Sequence, residues 1–403
     1  MSAVNTGQHA DSWWTVLKIF LRLGLTSFGG PIAHLGYFRA EFVSRRQWLS
    51  ERSFADLVAL CQFLPGPASS QVGIALGLSR AGYRGALAAW AGFTLPSAVL
   101  LILFALGLAA WGNVLPGGLL HGLKVVAVAV VAQAVWGMAR VFCTDGVRLA
   151  LMLGAAVVLL LWSSALSQVT VILLAGLLGL LLFKPDPDET HQPLGILVRR
   201  RTAVFLLTLF FVLLLVLPLL AQLWPVAWLQ RGDAFYRAGS LVFGGGHVVL
   251  PLLQAEVVGS GWVGNEAFLA GYGATQAVPG PLFTFAAFLG AAMQEAPNGW
   301  LGGMLCLAAV FAPSFLLVIG TLPFWERLRA SRHTRAALQG VNAAVVGVLL
   351  AALYDPVWTS AILGPADLAL ALAALLALMV WKLPPWLVVL GCGLGGWGLE
   401  VLL

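Results

Sequence analysis

Residues 20–30 read FLRLGLTSFGG, and residues 235–245 read FYRAGSLVFGG. One pattern, F-x-R-x-G-x-x-x-F-G-G, therefore occurs twice in the chain. The echo continues at the same spacing to within one residue. Gln62-Phe-Leu-Pro65-Gly66-Pro67 returns as Gln276-Ala-Val-Pro279-Gly280-Pro281, Glu41 as Glu256 and Trp48 as Trp262. A duplicated chain of this kind folds as two related units, and in a membrane transporter the substrate site lies where such units meet.

Composition places the duplication in a membrane. Hydrophobic residues make up 60% of the 403, charged residues only 9%, and the mean hydropathy is +0.94. Soluble domains carry about 25% charged residues, so these residues cannot build a water-facing surface. The four cysteines, Cys61, Cys143, Cys306 and Cys392, lie far apart without C-x-x-C spacing. They indicate packing rather than zinc or a disulfide framework. The net charge of +6 sits in a few loops, which points to membrane orientation and not to nucleic acid. Residues 1–12 are polar and lack Lys and Arg, so no secretory signal is expected there.

Hydrophobic segments fall near 13–30, 54–79, 85–111, 119–140, 147–163, 168–183, 202–224, 233–251, 266–292, 300–323, 337–354, 361–380 and 384–402. The fold class is therefore an all-α polytopic membrane protein with about 12–13 hydrophobic segments. Its expected organisation is an N-terminal repeat over 1–183, a cytoplasmic linker and connecting helix over 184–232, and a C-terminal repeat over 233–403. About six crossings per repeat plus a linker helix leave an odd number between equivalent helices, which makes the repeats inverted. With the N-terminus inside, most Lys and Arg fall in the cytoplasm, as the positive-inside rule asks. The segment carrying Arg39, Arg45, Arg46 and Arg52 breaks that rule, unless it folds back or the Pro-Gly-Pro segment is a re-entrant hairpin.

The chemistry rests on polar residues inside apolar spans. Arg22 and Arg237 each lie six residues before a Phe-Gly-Gly. A guanidinium in hydrocarbon is costly and faces water, a counter-ion or a substrate; snorkelling, or pairing with an acid such as Glu41, is the structural alternative. Pro65-Gly66-Pro67 and Pro279-Gly280-Pro281 break their helices. The helix that restarts after the first break aims free N–H groups at it, beside Ser69, Ser70 and Gln71. Gln62 and Gln276 precede the breaks, and Thr284 is the single hydroxyl after the second. Gly29, Gly30, Gly244 and Gly245 allow unwound backbone or close helix contact. Lys124, whose repeat partner is Asn342, is a third cation for an anion. His34, Glu41, Asp56, His247 and Glu256 are the candidates for proton coupling. No P-loop, metal cluster or nucleophile–base pair is present in the sequence, so no enzyme activity, metal or cofactor is expected.

Together, Ser27-Phe-Gly-Gly-Pro-Ile-Ala-His34-Leu-Gly-Tyr-Phe38, Arg45-Arg46-Gln-Trp48-Leu49, Cys61-Gln-Phe-Leu-Pro-Gly-Pro-Ala-Ser-Ser-Gln71-Val-Gly73 and their second-half echoes resemble the chromate ion transporter family in its long, two-domain form. The resemblance covers essentially the whole chain. It implies a multi-pass protein of the bacterial inner membrane that exports chromate, is driven by protons and confers chromate resistance. The expected partners are chromate or a sulfate-like dianion, protons and the lipid bilayer, with a homodimer as an allowed assembly. A sulfate or other oxyanion importer would use the same site; an anion channel is the further alternative, with flux that saturates poorly and ignores the proton gradient.

Overall fold

The computed structural model describes residues 11–111, 116–162, 164–184, 198–243, 246–325, 328 and 331–402. Among them every regular element is helical. Helix α1 (Trp13–Thr26) starts at Ser12, whose hydroxyl accepts the Trp14 N–H. At 1.5 Å per residue it is about 21 Å long, short of the roughly 30 Å hydrocarbon layer. The chain then turns through Gly29 and Gly30, both left-handed at φ 99° and 78°. Helix α2 (Gly30–Phe38), continued by a π-helical turn over Arg39–Arg45, runs back along α1. Phe20 stacks on Phe42 at 5.1 Å and meets Phe38 edge-on at 5.6 Å. Residues 13–45 are a helical hairpin with its tip at Phe-Gly-Gly.

A second hairpin follows. Helix α3 (Glu51–Phe63) leads to Pro65-Gly66-Pro67, and α4 (Ala68–Trp111) leads away. The long α4 is two helices: Ala81 (φ −138°, ψ 26°) and Gly82 (φ 61°, ψ −153°) turn it back on itself. Gly77 rests directly on the Gly85 carbonyl and Ala89 across that turn. Arg80 pairs with Asp11 at 2.9 Å and lies 5.0 Å over the Trp48 ring. The starts of α1 and α3 and the end of the first α4 arm thus meet at one end of the molecule. The segments 13–30 and 54–79, expected as single spans, are limbs of hairpins, because Gly-Gly and Pro-Gly-Pro reverse the chain.

The chain continues through α5 (Gly117–Phe142), α6 (Gly146–Leu161), α7 (Ala165–Leu182) and α8 (Arg200–Leu223). The hairpins then repeat. Helices α9 (Ala227–Leu241) and α10 (Val249–Val257) form the first. In the second, α11 (Asn265–Thr275) and α12 (Phe285–Ala292) flank the other Pro-Gly-Pro. Phe288 lies over Gly271, and Phe285 meets Phe268 and Tyr272 edge-on at 5.0 and 5.7 Å, so these limbs pack side by side. Arg231 at the start of α9 donates to the Pro297 carbonyl beyond α12, closing this set as Asp11–Arg80 closes the first. Helix α13 (Gly299–Thr321) runs against the second arm of α4, with Gly303 on Ile102 and Gly299 beside Leu106. That contact is antiparallel, so the two hairpin sets enter from opposite ends of the molecule.

The remaining helices, α14 (Arg332–Ala352), α15 (Pro365–Met379) and α16 (Pro385–Leu402), complete an exchange. Helix α5 of the first half packs on α15 and α16 of the second, whereas α14 packs on α6 and α7. Gly118 and Gly122 lie on the Gly396 and Cys392 carbonyls, and the Glu400 carboxylate accepts the Gly118 N–H at 2.7 Å. Gly340 and Gly179 similarly let α14 and α7 touch backbone to backbone. Lipid tails are as apolar as leucine, so close packing at such small residues, rather than flight from water, holds these helices together. Leu177, Leu181, Phe205 and Leu215 remain exposed on the outer faces of α7 and α8, as lipid-facing residues should.

Candidate functional site

The tips of the hairpins converge. The Gly66 N–H donates to the Val242 carbonyl at 2.7 Å, and the Gly280 N–H donates to the Ser27 carbonyl at 3.0 Å. Ser27 and Val242 each immediately precede a Phe-Gly-Gly, so every Pro-Gly-Pro tip is tied to the other half's Phe-Gly-Gly tip. Gly66 (φ 120°) and Gly280 (φ 108°) hold a backbone that other residues rarely adopt. A Cβ on Gly66 would stand 2.8 Å from Ser314 Oγ, and one on Gly280 would stand 2.6 Å from Ser97 Oγ. Ser97 and Ser314 each follow a helix proline, Pro96 and Pro313. Each tip therefore seats against a Pro-Ser step in the opposite half.

Buried polar groups surround the first tip. Ser69, Ser70 and Gln71 are buried in the first turn of α4; the Gln71 N–H donates to the Pro67 carbonyl at 2.9 Å, whereas those of Ser69 and Ser70 have no intrahelical acceptor. Gln71 Nε2 closes the turn by donating to the Pro65 carbonyl at 2.7 Å. His34 Nδ1 lies 3.4 Å from Ser69 Oγ. Ser27 Oγ, His34 Nε2, Ser70 Oγ, Gln71 Oε1, Gln276 Nε2 and Ser314 Oγ are buried without a hydrogen-bond partner among the described residues. Leaving such groups unpaired costs about 1–3 kcal/mol each, and groups of this kind are available to a polar guest.

The second tip is built differently. Its helix starts as a 3-10 turn (Leu282–Thr284), and Thr284 donates its hydroxyl to the Pro281 carbonyl at 2.7 Å. A cavity of about 20 Å³ lies here, bounded by Gly29, Gly30, His247, Gln276 and Gly280. It has room for about one water molecule, so the tips are closed on one another. His247 Nδ1 is 2.8 Å from the Tyr272 hydroxyl. A larger cavity of about 210 Å³ lies elsewhere, between α6, α7, α10 and the end of α14. Its lining contains Asp355 and no Lys, Arg or His, which does not suit an anion.

The arginines sit beside the tips' own helices and hold carboxylates. Arg22 pairs with Glu41, which also receives Arg45 at 3.1 Å and Arg46 at 2.7 Å. Glu41 is 5% exposed, whereas the Arg22 side chain is 51% exposed. Arg237 repeats the arrangement with Glu256 at 3.1 Å and adds Asp233 at 2.9 Å. Lys124, buried in α5, binds Glu266 at 3.1 Å at the start of α11. Asp56 is buried within α3, and Gln62, unlike Gln276, is exposed. Gly244 and Gly245 lie outside the described residues. Sequence reading missed Ser27, Ser97, Ser314, Tyr272 and Asp233. The repeated Pro-Ser step could have pointed to the serines of α4 and α13.

Comparison with known proteins bears on this geometry. The family model described as "Chromate transporter" matches residues 14–180 and 229–397, one stretch per half. The chain is 30% identical over 408 residues to a "Chromate transport protein" of Pseudomonas aeruginosa, covering 94% of this chain and 90% of that one. It is 26% identical over 403 residues to a "Chromate transport protein" of Cupriavidus metallidurans, covering 96% and 94%. A "Probable chromate transport protein" of Synechococcus elongatus is 28% identical over 347 residues, covering 83% and 82%. No solved structure gives a significant match.

Proposed function

We propose that this chain, which belongs to the chromate transporter family, is a proton-driven secondary transporter that exports chromate across a bacterial inner membrane and so confers resistance. The observation that carries the reading is the crossed pair of glycine hydrogen bonds, Gly66 to Val242 and Gly280 to Ser27, set among buried polar atoms without partners. Four opened tips meet where neither half alone could enclose a guest. A tetrahedral dianion would take the free N–H groups of the first turn of α4, the Ser69 and Ser70 hydroxyls and the Gln276 amide N–H in place of water. Rocking of one half against the other would break the two crossed bonds and open the tips to either side in turn.

In this reading residues 1–183 and 233–403 are inverted repeats, joined by the linker and connecting helix over 184–232. The tips lie near mid-membrane, because hairpin limbs of about 20 Å reach only part of the way across. Returning hairpins also remove the conflict with the positive-inside rule. The segment Arg39–Arg52 comes back to the side it left, joining Arg80, Arg84, Arg140, Arg148, Lys184, Arg199–Arg201, Arg332 and Lys382 in the cytoplasm. Arg22 and Arg237 lie on the way from each mouth to the tips, where they receive the anion as their carboxylate partners let go. His34, Glu41, Asp56, His247 and Glu256 remain the candidates for carrying the proton.

Purified protein in liposomes tests the reading. Chromate-loaded vesicles should take up labelled chromate by counterflow, and Ser69→Ala with Ser70→Ala should raise its KM several-fold. Sulfate that replaces chromate at equal concentration would make the substrate the wider class of tetrahedral dianions. Absence of saturable exchange with either anion overturns the assignment.

A further inference from the structure

The two arginine–glutamate pairs are equivalent in position yet opposite in surroundings. In the first repeat Glu41 is outnumbered: Arg22, Arg45 and Arg46 all reach it, leaving two positive charges over. In the second repeat Arg237 is outnumbered, because Asp233 and Glu256 both reach it, leaving one negative charge over. Aligning the repeats shows how this arose. Asp233 stands where the first repeat has the exposed Lys18, and Ser260 and Gly261 stand where it has Arg45 and Arg46. Each difference lowers the charge at the second mouth.

Asp233 is 5% exposed, and its Oδ1 has no hydrogen-bond partner among the described residues. The elements packed on α9 offer it little. Helix α13 carries no charged residue, α8 carries only Arg200 and Arg201 at its far end, and α10 carries only Glu256. Arg231, two residues before Asp233 on α9, is instead held by the Pro297 carbonyl and feels Glu295. Among the described residues, one guanidinium, that of Arg237, thus pairs with both carboxylates, and an oxygen is left to spare.

Resting on the transport reading above, we propose that Asp233 and Glu256 form the proton-exchange site of the cycle, while the equivalent cluster around Glu41 in the first repeat collects the anion. A proton entering from the second mouth bonds to one carboxylate oxygen and cancels the surplus charge. The dianion can then pass Arg237 without meeting a net negative wall. Loss of that proton on the opposite side restores the carboxylate. The duplicated pair has in this way divided two tasks between two mouths.

The test uses full-length protein in liposomes, with chromate counterflow and pH-gradient-driven chromate accumulation measured on the same preparation. Asp233→Asn and Glu256→Gln are expected to retain counterflow but lose the response to an imposed pH gradient. Arg45→Gln with Arg46→Gln is expected to raise the chromate KM and to keep the gradient response. Wild-type gradient response in both carboxylate variants overturns the proposal, and so does its loss in the arginine variant alone. Failure of counterflow in the wild type would instead remove the transport reading beneath it. Should Asp233→Asn not fold, as judged by size-exclusion profile, Glu256→Gln decides.

Discussion

Gly66 and Gly280 occupy equivalent places in the two halves, and each donates its N–H to the carbonyl before the other half's Phe-Gly-Gly. Both have positive φ and both face a serine of the opposite half. Alanine at either place meets a strained backbone and a hydroxyl inside contact distance. The cost should be about 1–3 kcal/mol for each glycine. Gly66→Ala and Gly280→Ala are expected to lower the melting temperature and to abolish chromate counterflow. A variant with wild-type counterflow would show that the crossed contacts do not form the transport gate.

The hairpin reading makes a claim about sidedness. Single cysteines at Arg52 and Ser331 should react with an impermeant maleimide only from the cytoplasmic face, and one at Ser260 only from the opposite face. Cys143, the one partly exposed native thiol among the four, is first changed to serine. Labelling of the Arg52 position from the outside would restore α1 as a full crossing.

Glu41 gives a pH dependence whose sign can be worked out. Burial raises its carboxyl, but hydrogen bonds from Arg46 and Arg45 and the charge of Arg22 outweigh this and hold it below the ordinary carboxylate range. A group lowered in the folded state contributes stability that is present above its unfolded value, about 4.3, and lost as pH falls through the folded one. Thermal unfolding should therefore show wild type losing its advantage over Glu41→Gln as pH drops below about 4. An advantage that does not change with pH would mean that the cluster contributes through packing alone.

Lys124 and Glu266 should respond unequally to removal. The Lys124 side chain is 10% exposed and that of Glu266 is 87% exposed. Lys124→Met leaves a carboxylate in solvent and should alter stability by less than about 1 kcal/mol. Glu266→Ala leaves a buried ammonium without this partner and should cost on the order of 1–3 kcal/mol. Equal melting temperatures for the two variants would contradict the burial of Lys124.

The duplicated Phe-Gly-Gly and Pro-Gly-Pro motifs are legible in the sequence because they answer backbone requirements, a reversal that a side chain resists. The same glycines carry the information that 13–30 and 54–79 do not cross, but hydropathy cannot show which way a chain leaves a break. An apolar run of spanning length and two half-length limbs look alike on that measure. Arg22 and Glu41 are each visible as odd residues, yet their pairing depends on the turn at Gly29–Gly30 bringing α2 back along α1. Asp233 was hidden by the polar stretch Gln230-Arg-Gly-Asp233, which resembles an ordinary helix end until it is aligned with Lys18. The exchange of α5 and α14 leaves no mark on either helix alone, since glycines serve any close helix contact.

That exchange has a bearing on biosynthesis. Helix α5 covers its Gly118–Gly122 stripe with α16 and packs on α15 as well, and both helices are made long after it. The amino-terminal half must therefore wait in the bilayer with its Gly118–Gly122 groove uncovered until those helices have been made. A chain lacking residues 365–402 would expose that groove permanently and become a target for membrane proteolysis, even though every residue around the hairpin tips had already been made.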